Sequence, residues 1–196
     1  MLIDYLTLML VSMTAGLLLL AYYVYRGLDD ENPQRWVPGF VMTGFIALIT
    51  GLHMSLTWPL PGSFNIAYGE MSVLFGILFL GAALALWKGW EMPTVAIYAF
   101  FAGVAAVVVG ARIINLGMTK RPLVSGMGFI LSGLGGIFAW LCCLAKPILS
   151  LQTNRMLRAI GALVLVGAAL IWALTGYMAY WEHLASFAEW IPATMR

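Results

Sequence analysis

Long apolar runs alternate with short polar breaks along the whole chain. A helix needs about 20 mostly apolar residues to cross the hydrocarbon core of a bilayer. The pattern predicts six such helices, over residues 5–25, 36–57, 71–87, 92–116, 122–144 and 159–181. The runs are continuous and lack the alternation of barrel strands that face lipid. The sequence therefore predicts an all-α integral membrane protein, a single transmembrane domain over residues 1–196 in which six helices are joined by short loops.

Composition excludes most other classes of protein. Hydrophobic residues make up 63% of the chain and charged residues only 9%, whereas a soluble domain carries about 25% charged residues. A soluble enzyme, a nucleic-acid binder and a disulfide-stapled secreted scaffold are therefore excluded. No catalytic motif stands out, so the sequence does not favour an enzyme. The two cysteines, Cys142 and Cys143, are adjacent and are expected to stay unpaired, because a bridge between neighbours is strained.

The basic residues in the loops predict the orientation. One face carries six of them and the other three, and Lys and Arg concentrate on the cytoplasmic side. The six are Arg26, Arg35, Lys88, Lys146, Arg155 and Arg158, and the three are Lys120, Arg121 and Arg196. We therefore expect both termini to face outward from the inner (plasma) membrane. Helix one is expected to be retained, since no basic region precedes it as in a signal peptide.

Two segments on the predicted outer side are not typical of spanning helices. Residues 58–65 contain two prolines and a glycine, which predicts an ordered or re-entrant outer loop over residues 58–70. Residues 182–196 combine two aromatic residues, Phe187 and Trp190, with Pro192 and predict an interfacial segment on the outer surface.

Small residues recur at four-residue spacing on two helices. Such stripes let helix backbones approach closely in a membrane. They comprise Gly128, Ser132 and Gly136 on helix five, and Ala102, Ala106 and Gly110 on helix four. Two interpretations remain open at this point: structural packing, or room for a narrow pore or a contact between subunits.

Ionisable residues cluster at one membrane level. Asp4, His53, Glu70, Arg112 and the Glu182–His183 pair all fall toward the outer side when placed by helical rise. Charged residues inside a membrane are costly and are candidates for function. We therefore predict a polar pore mouth or substrate-binding site, in which Arg112 pairs with Glu70 near His53. Its residues are His53, Asn65, Tyr68, Glu70, Arg112 and Asn115.

Three classes of function fit this asymmetry. The inner half of the predicted bundle holds no ionisable group, which argues against a proton relay and favours a channel or facilitator for a small uncharged solute or weak acid. A second possibility is a membrane-embedded redox protein, with haem b or a transition metal held by His53, His183, Glu182 and Asp4. A third is a structural subunit of a larger membrane complex. Under the channel hypothesis we expect no cofactor, and the partners are the lipid bilayer and a small solute, with no nucleic acid.

The sequence resembles two known families. The runs GLHMSLTWPLPGSFNIAYGE and YAFFAGVAAVVVGARIINLG resemble an uncharacterised family of small prokaryotic membrane proteins. The overall plan also resembles the acid-gated urea channel and amide transporter family, with the best likeness over residues 68–76, near Gly89 and over residues 98–100. This second resemblance implies six helices, outward termini and a homo-oligomer, a hexameric ring with one pore per protomer.

The sequence departs from the urea-channel pattern at two places. Residues 159–162 read Ala-Ile-Gly-Ala, where that family has a glutamate early in helix six. Residues 125–136 contain no tryptophan, where that family lines its filter with tryptophans. We therefore transfer no pore residue and no solute from that family, because a shared fold does not fix a function.

Overall fold

Six long helices form the protein in a computed structural model that describes residues 5–145 and 151–189. Within this part of the chain there is no strand, and all six helices are long and apolar enough to cross a membrane. The helices are α1 (Leu6–Arg26), α2 (Val37–Thr57), α3 (Met71–Lys88), α4 (Pro93–Leu116), α5 (Pro122–Ala145) and α6 (Leu151–Ser186). The predicted all-α bundle of six helices is confirmed.

Proline and glycine set several helix ends. Pro93 and Pro122 occupy the first position of α4 and α5, where the missing N–H has no partner inside the helix anyway. Gly89 and Gly117 follow α3 and α4 with φ angles of 68° and 62°. Glycine adopts this left-handed conformation without steric cost and so ends a helix cleanly.

Two predicted boundaries differ from the structure. Asn65–Glu70 forms a π-helix that runs directly into α3, so the loop after α2 ends at residue 64 and not at residue 70. Helix α6 has 36 residues instead of the predicted 23-residue span 159–181, which corresponds to a length of about 54 Å. Residues 182–186 therefore continue this helix, and residues 190–196 of the predicted interfacial segment lie outside the described part.

The six helices form a ring in chain order. Each helix packs against its neighbours in the sequence, and α6 returns to pack along α1. The seam between α3 and α4 is the thinnest of the six. We call the end with the loop 58–64 the upper end and the end with residues 27–36 the lower end. Thr7 Oγ1 lies 3.3 Å from His183 Nδ1, so the start of α1 and the end of α6 meet at the upper end.

Glycines bring α4 and α5 into backbone contact. A Cβ atom on Gly133 would lie 2.4 Å from the carbonyl oxygen of Gly103, and one on Gly110 would lie 2.5 Å from that of Gly126. Real Cβ atoms essentially never come so close, so only glycine fits at this seam. The small residues of α4 and α5 thus serve packing inside one protomer.

Candidate functional site

Three cavities lie in a row inside the ring of helices. The upper cavity has a volume of about 20 Å³, the middle cavity about 60 Å³ and the lower cavity about 40 Å³. Along α1 and the short helical turn that follows it, the row runs from Met9 in the upper cavity to Leu28 in the lower cavity. At a rise of 1.5 Å per residue this distance is about 28 Å, close to the thickness of the hydrocarbon core.

Shared side chains separate each cavity from the next. Four residues line both the upper and the middle cavity, and four others line both the middle and the lower cavity. We call the first group the upper partition: Met13, Met71, Phe129 and Trp172. The lower partition consists of Leu20, Leu78, Phe79 and Ala99. One layer of side chains therefore stands between neighbouring cavities.

Ser132 and Trp172 form the polar centre of the middle cavity. Trp172 is 1% exposed, and its Nε1 donates to Ser132 Oγ at 3.0 Å. Ser132 Oγ in turn donates to the carbonyl oxygen of Gly128 at 2.7 Å. A buried tryptophan usually finds a partner for its N–H group, and Gly128 leaves room for the ring, since a Cβ there would lie 2.9 Å from Trp172 Cζ2.

The upper cavity is bounded by the π-helix and by aromatic rings. Tyr68 contacts Phe129 edge-on at 5.4 Å between ring centroids, and Phe129 contacts Trp172 in the same way at 5.0 Å. A π-helix inserts one extra residue per turn and is frequent at functional sites. Here it carries Tyr68 into the bundle, beside the first cavity.

Below the lower cavity lies an ion pair between a buried arginine and an exposed aspartate, which the sequence reasoning missed. Tyr23 and Cys143 line this cavity. Arg158 of α6 is 6% exposed; its Nη1 donates to Asp29 Oδ2, and its Nε donates to Asn154 Oδ1 at 3.0 Å. The interpretation of Arg158 as a loop residue used only for orientation is therefore wrong.

A second polar contact fixes the connection between α1 and α2 at the lower end. Trp36 Nε1 donates to Asp30 Oδ2 at 2.7 Å, and the backbone N–H of Asn32 donates to Asp30 Oδ1 at 3.1 Å. Desolvation acts to raise the pKa of the Asp30 carboxyl. The two hydrogen bonds and the Arg35 guanidinium outweigh it, so that pKa lies below its ordinary value of 3.8.

Four residues of the predicted pore mouth lie exposed at the upper end. His53, Glu70, Arg112 and Asn115 are all exposed, and none lines one of the three cavities. Arg112 Nη1 donates to Asn115 Oδ1 at 2.6 Å. Among the described residues the ion pairs are Arg35–Asp30 and Arg158–Asp29, so the expected pair of Arg112 with Glu70 is not formed.

The other two predicted mouth residues are buried, with different roles. Asn65 is 0% exposed and holds the loop: its Oδ1 accepts from the backbone N–H of Leu60 at 3.0 Å, and its Nδ2 donates to the carbonyls of Leu60 and Gly62. Both amide donors of Asn65 are therefore occupied. Tyr68, by contrast, lines the upper cavity.

The two histidines of the predicted metal site contact other side chains. The His53 ring packs edge-on against Tyr5 at 5.2 Å, His183 contacts Thr7, and Glu182 is exposed. In residues 5–145 and 151–189 no three His, Cys, Asp or Glu side chains form a group that could hold a metal ion. Asp4 lies outside the described residues.

Comparisons with known proteins give a family and a fold. A family model described as "Protein of unknown function (DUF981)" matches residues 1–186. The chain belongs to this family. The resemblance to an uncharacterised membrane family is thereby confirmed. No curated protein matches the chain.

The crystal structure of the urea channel from the human gastric pathogen Helicobacter pylori is similar to this member of the DUF981 family. The TM-score is 0.62 at 16% identity, over 95% of this chain and 99% of that chain. The likeness to the urea channel that the sequence indicated is confirmed at the level of the fold. The chain is a multi-pass membrane protein with six long apolar helices.

Proposed function

We propose that this protein is a channel or facilitator that carries a small uncharged solute, or a weak acid in its neutral form, through the centre of the six-helix ring. The observation that carries the proposal is the row of three cavities, which extends over about the thickness of a bilayer core. The solved urea channel has the same fold, which supports a solute pathway without identifying the solute.

The lining of the row favours a neutral solute over an ion. Among the described residues that line the three cavities, none carries a charge. An ion would lose its hydration there without an opposite charge to replace it, at a cost of several kcal/mol or more. The charged pair Arg158–Asp29 lies below the lower cavity, and the exposed Glu70 and Arg112 lie at the upper end. The charge-free stretch is thus the waist of the pathway.

We propose that side-chain rotation connects the cavities. Two of the four residues in the upper partition, Met13 and Met71, are methionines, whose unbranched side chains adopt many shapes at little cost. The lower partition is stiffer, because Phe79 stacks on Phe75 at 4.0 Å between ring centroids. We therefore place the narrower step of permeation at the lower partition.

A blocking substitution tests the proposal. Ala106 lines the middle cavity, and Ala106→Leu fills it with three further carbon atoms. Ala111 is exposed on the same helix, so Ala111→Leu is the matched control. In proteoliposomes, the wild type and Ala111→Leu should accelerate the entry of at least one of ammonia, formic acid, urea and glycerol. Ala106→Leu should lose most of that acceleration.

Two results would count against the channel. One is that none of the four solutes enters faster than in protein-free vesicles. The other is that Ala106→Leu, shown to be folded by its melting curve, conducts as well as Ala111→Leu. The second result would mean that the solute does not pass through the middle cavity.

We further propose that the upper end faces outward from the plasma membrane. The six-to-three distribution of basic residues supports this orientation. Gln34 lies at the lower end and Ser63 at the upper end. In a background without Cys142 and Cys143, an impermeant thiol reagent should label Ser63→Cys but not Gln34→Cys in intact cells. The opposite pattern would reverse the orientation.

We also keep the homo-oligomer as a proposal, supported by the resemblance to the urea-channel family. The stripes of small residues no longer support it. Gly110 and Gly136 pack α4 on α5, Gly128 packs against Trp172, and the other members line the middle cavity. Native mass measurement in mild detergent should give a multiple of the protomer mass, with six copies for a hexamer. A monomer in lipid nanodiscs would contradict this proposal.

A further inference from the structure

The three cavities offer few hydrogen-bonding groups to a passing solute. Ser132 and Trp172 carry the only side-chain nitrogen or oxygen atoms among the described residues that line the middle cavity. In the lower cavity the polar side-chain groups are the Tyr23 hydroxyl and the Cys143 thiol. In the upper cavity Tyr68 and Ser72 add hydroxyls to the Trp172 N–H group. Each cavity therefore holds at least one hydroxyl and no charge.

The Ser132 hydroxyl has one open position. A serine hydroxyl donates one hydrogen bond and accepts two. Ser132 Oγ donates to the Gly128 carbonyl and accepts from Trp172 Nε1, so one acceptor position remains. Trp172 Nε1 has a single hydrogen, which it already donates. The middle cavity thus offers one hydrogen-bond acceptor, which can pair with one N–H or O–H group of a solute.

The cavities are also small. A cavity volume of about 10–15 Å³, counted as the space open to the centre of a water molecule, is enough to hold one water. The middle cavity, at about 60 Å³, therefore holds a solute of a few non-hydrogen atoms. The upper cavity, at about 20 Å³, holds a group the size of one water. A solute that passes all three must be close to water in cross-section.

From the open hydroxyl position and the cavity volumes together, we infer the class of solute: an uncharged molecule of one to about three non-hydrogen atoms with a single hydrogen-bond donor centre, such as ammonia or formic acid in its neutral form. This inference rests on the proposed function. Urea has two separate donor nitrogens, and the open position on Ser132 can accept from only one of them. A second donor nitrogen left unpaired lowers occupancy of the cavity about tenfold or more.

The first test compares solutes on the wild-type protein. Vesicles of sphingomyelin and cholesterol, with a pH dye inside, receive a pulse of ammonium chloride or of sodium formate. Entry of ammonia raises the internal pH and entry of formic acid lowers it, so a proton leak cannot imitate both. Protein should accelerate both changes about tenfold, while the entry of urea and glycerol, followed by light scattering, should match protein-free vesicles.

The second test uses a pair of variants with the same shape. Ser132→Thr retains a hydroxyl, whereas Ser132→Val replaces that hydroxyl with a methyl group. The threonine variant should conduct ammonia like the wild type, and the valine variant should conduct it about tenfold more slowly. If Ser132→Val does not purify as a folded protein, Ser132→Ala compared with the wild type replaces it.

The outcomes separate the two proposals. If urea or glycerol enters as fast as ammonia, or if Ser132→Val equals Ser132→Thr, the inferred solute class is wrong while the channel stands. If no solute is accelerated, the proposed function itself fails, and the solute class fails with it. Acceleration limited to ammonia and formic acid, and lowered by the loss of the hydroxyl, supports both.

Discussion

The glycine contact between α4 and α5 permits a quantitative prediction for Gly133→Ala. The new Cβ would lie 2.4 Å from the Gly103 carbonyl oxygen, 2.9 Å from Val107 Cγ2 and 3.0 Å from Val107 N. Ordinary contact begins at 3.4 Å, so the two helices must separate by 3.4 − 2.4 = 1.0 Å at this point. The opposing atom is backbone, which cannot rotate away.

The expected cost follows from two opposing effects. Overpacking of this kind costs about 1–3 kcal/mol, and alanine recovers about 0.5–1 kcal/mol over glycine through its better helix propensity. We therefore expect Gly133→Ala to lower the free energy of unfolding by about 1 kcal/mol, and by at most about 2.5 kcal/mol. Gly81 of α3 is the matched control, because a Cβ there meets nothing within 4 Å. Gly81→Ala should leave stability unchanged or raise it slightly.

The assay is reversible unfolding in detergent, with both variants measured beside the wild type. Because α4 and α5 also line the middle cavity, the separation caused by Gly133→Ala should change solute flux as well. Equal free energies of unfolding for Gly133→Ala and Gly81→Ala would refute the argument, since the close backbone contact would then not exist in the membrane protein.

Three further predictions concern the polar contacts. Asn65→Ala should lower the free energy of unfolding by about 1–3 kcal/mol, because it removes three hydrogen bonds to partly buried backbone groups of the loop; the exposed Asn115→Ala should change it by less than about 0.5 kcal/mol, and equal effects in denaturant titration would contradict the assigned role. Asp29→Asn should cost about 1 kcal/mol through the loss of the charged partner of Arg158, because the Asp29 side chain is 58% exposed and water screens the pair; an unchanged melting temperature would mean that this ion pair is not formed. Folding lowers the pKa of Asp30, so its stabilising effect is present above pH 3.8 and is lost as the pH falls through the folded pKa; the difference in melting temperature between wild type and Asp30→Asn should shrink below about pH 4, and a difference that stays constant would contradict it.

The sequence predicts the number of helices well and their faces poorly. The apolar runs are long enough to identify all six helices. The rotation of each helix about its axis is set by packing, and one residue changes it by about 100°. The sequence predicts the same depth for Arg112 and Glu70, but it does not predict which way each side chain points. In the structure Arg112 bonds to Asn115 on its own helix. Depth alone does not establish a contact.

The sequence assigned one polar residue to the pore mouth wrongly and gave signals for other polar contacts that were not used. Asn65 is polar and near a loop, which suggested an exposed mouth, yet the backbone of that loop satisfies it. Asn154 and Arg158 lie four residues apart, on one face of α6, and this spacing was a usable signal of a shared site. Trp172 in the middle of an apolar helix was a second usable signal, because a buried indole N–H needs an acceptor. In the structure that acceptor is the Ser132 hydroxyl.

The ring order of the helices has a consequence for the assembly of the protein. Five seams join helices that follow one another in the chain, so they can form while synthesis continues. The seam between α1 and α6 joins segments as far as 176 residues apart, and it must wait for the last helix. Before this closure the faces of α1 and α5 that later meet α6 are exposed to lipid, and Trp172 has not yet reached Ser132. The upper and middle cavities, which Trp172 lines, are thus completed only by the final helix, and in a chain that ends before α6 both would lack this wall.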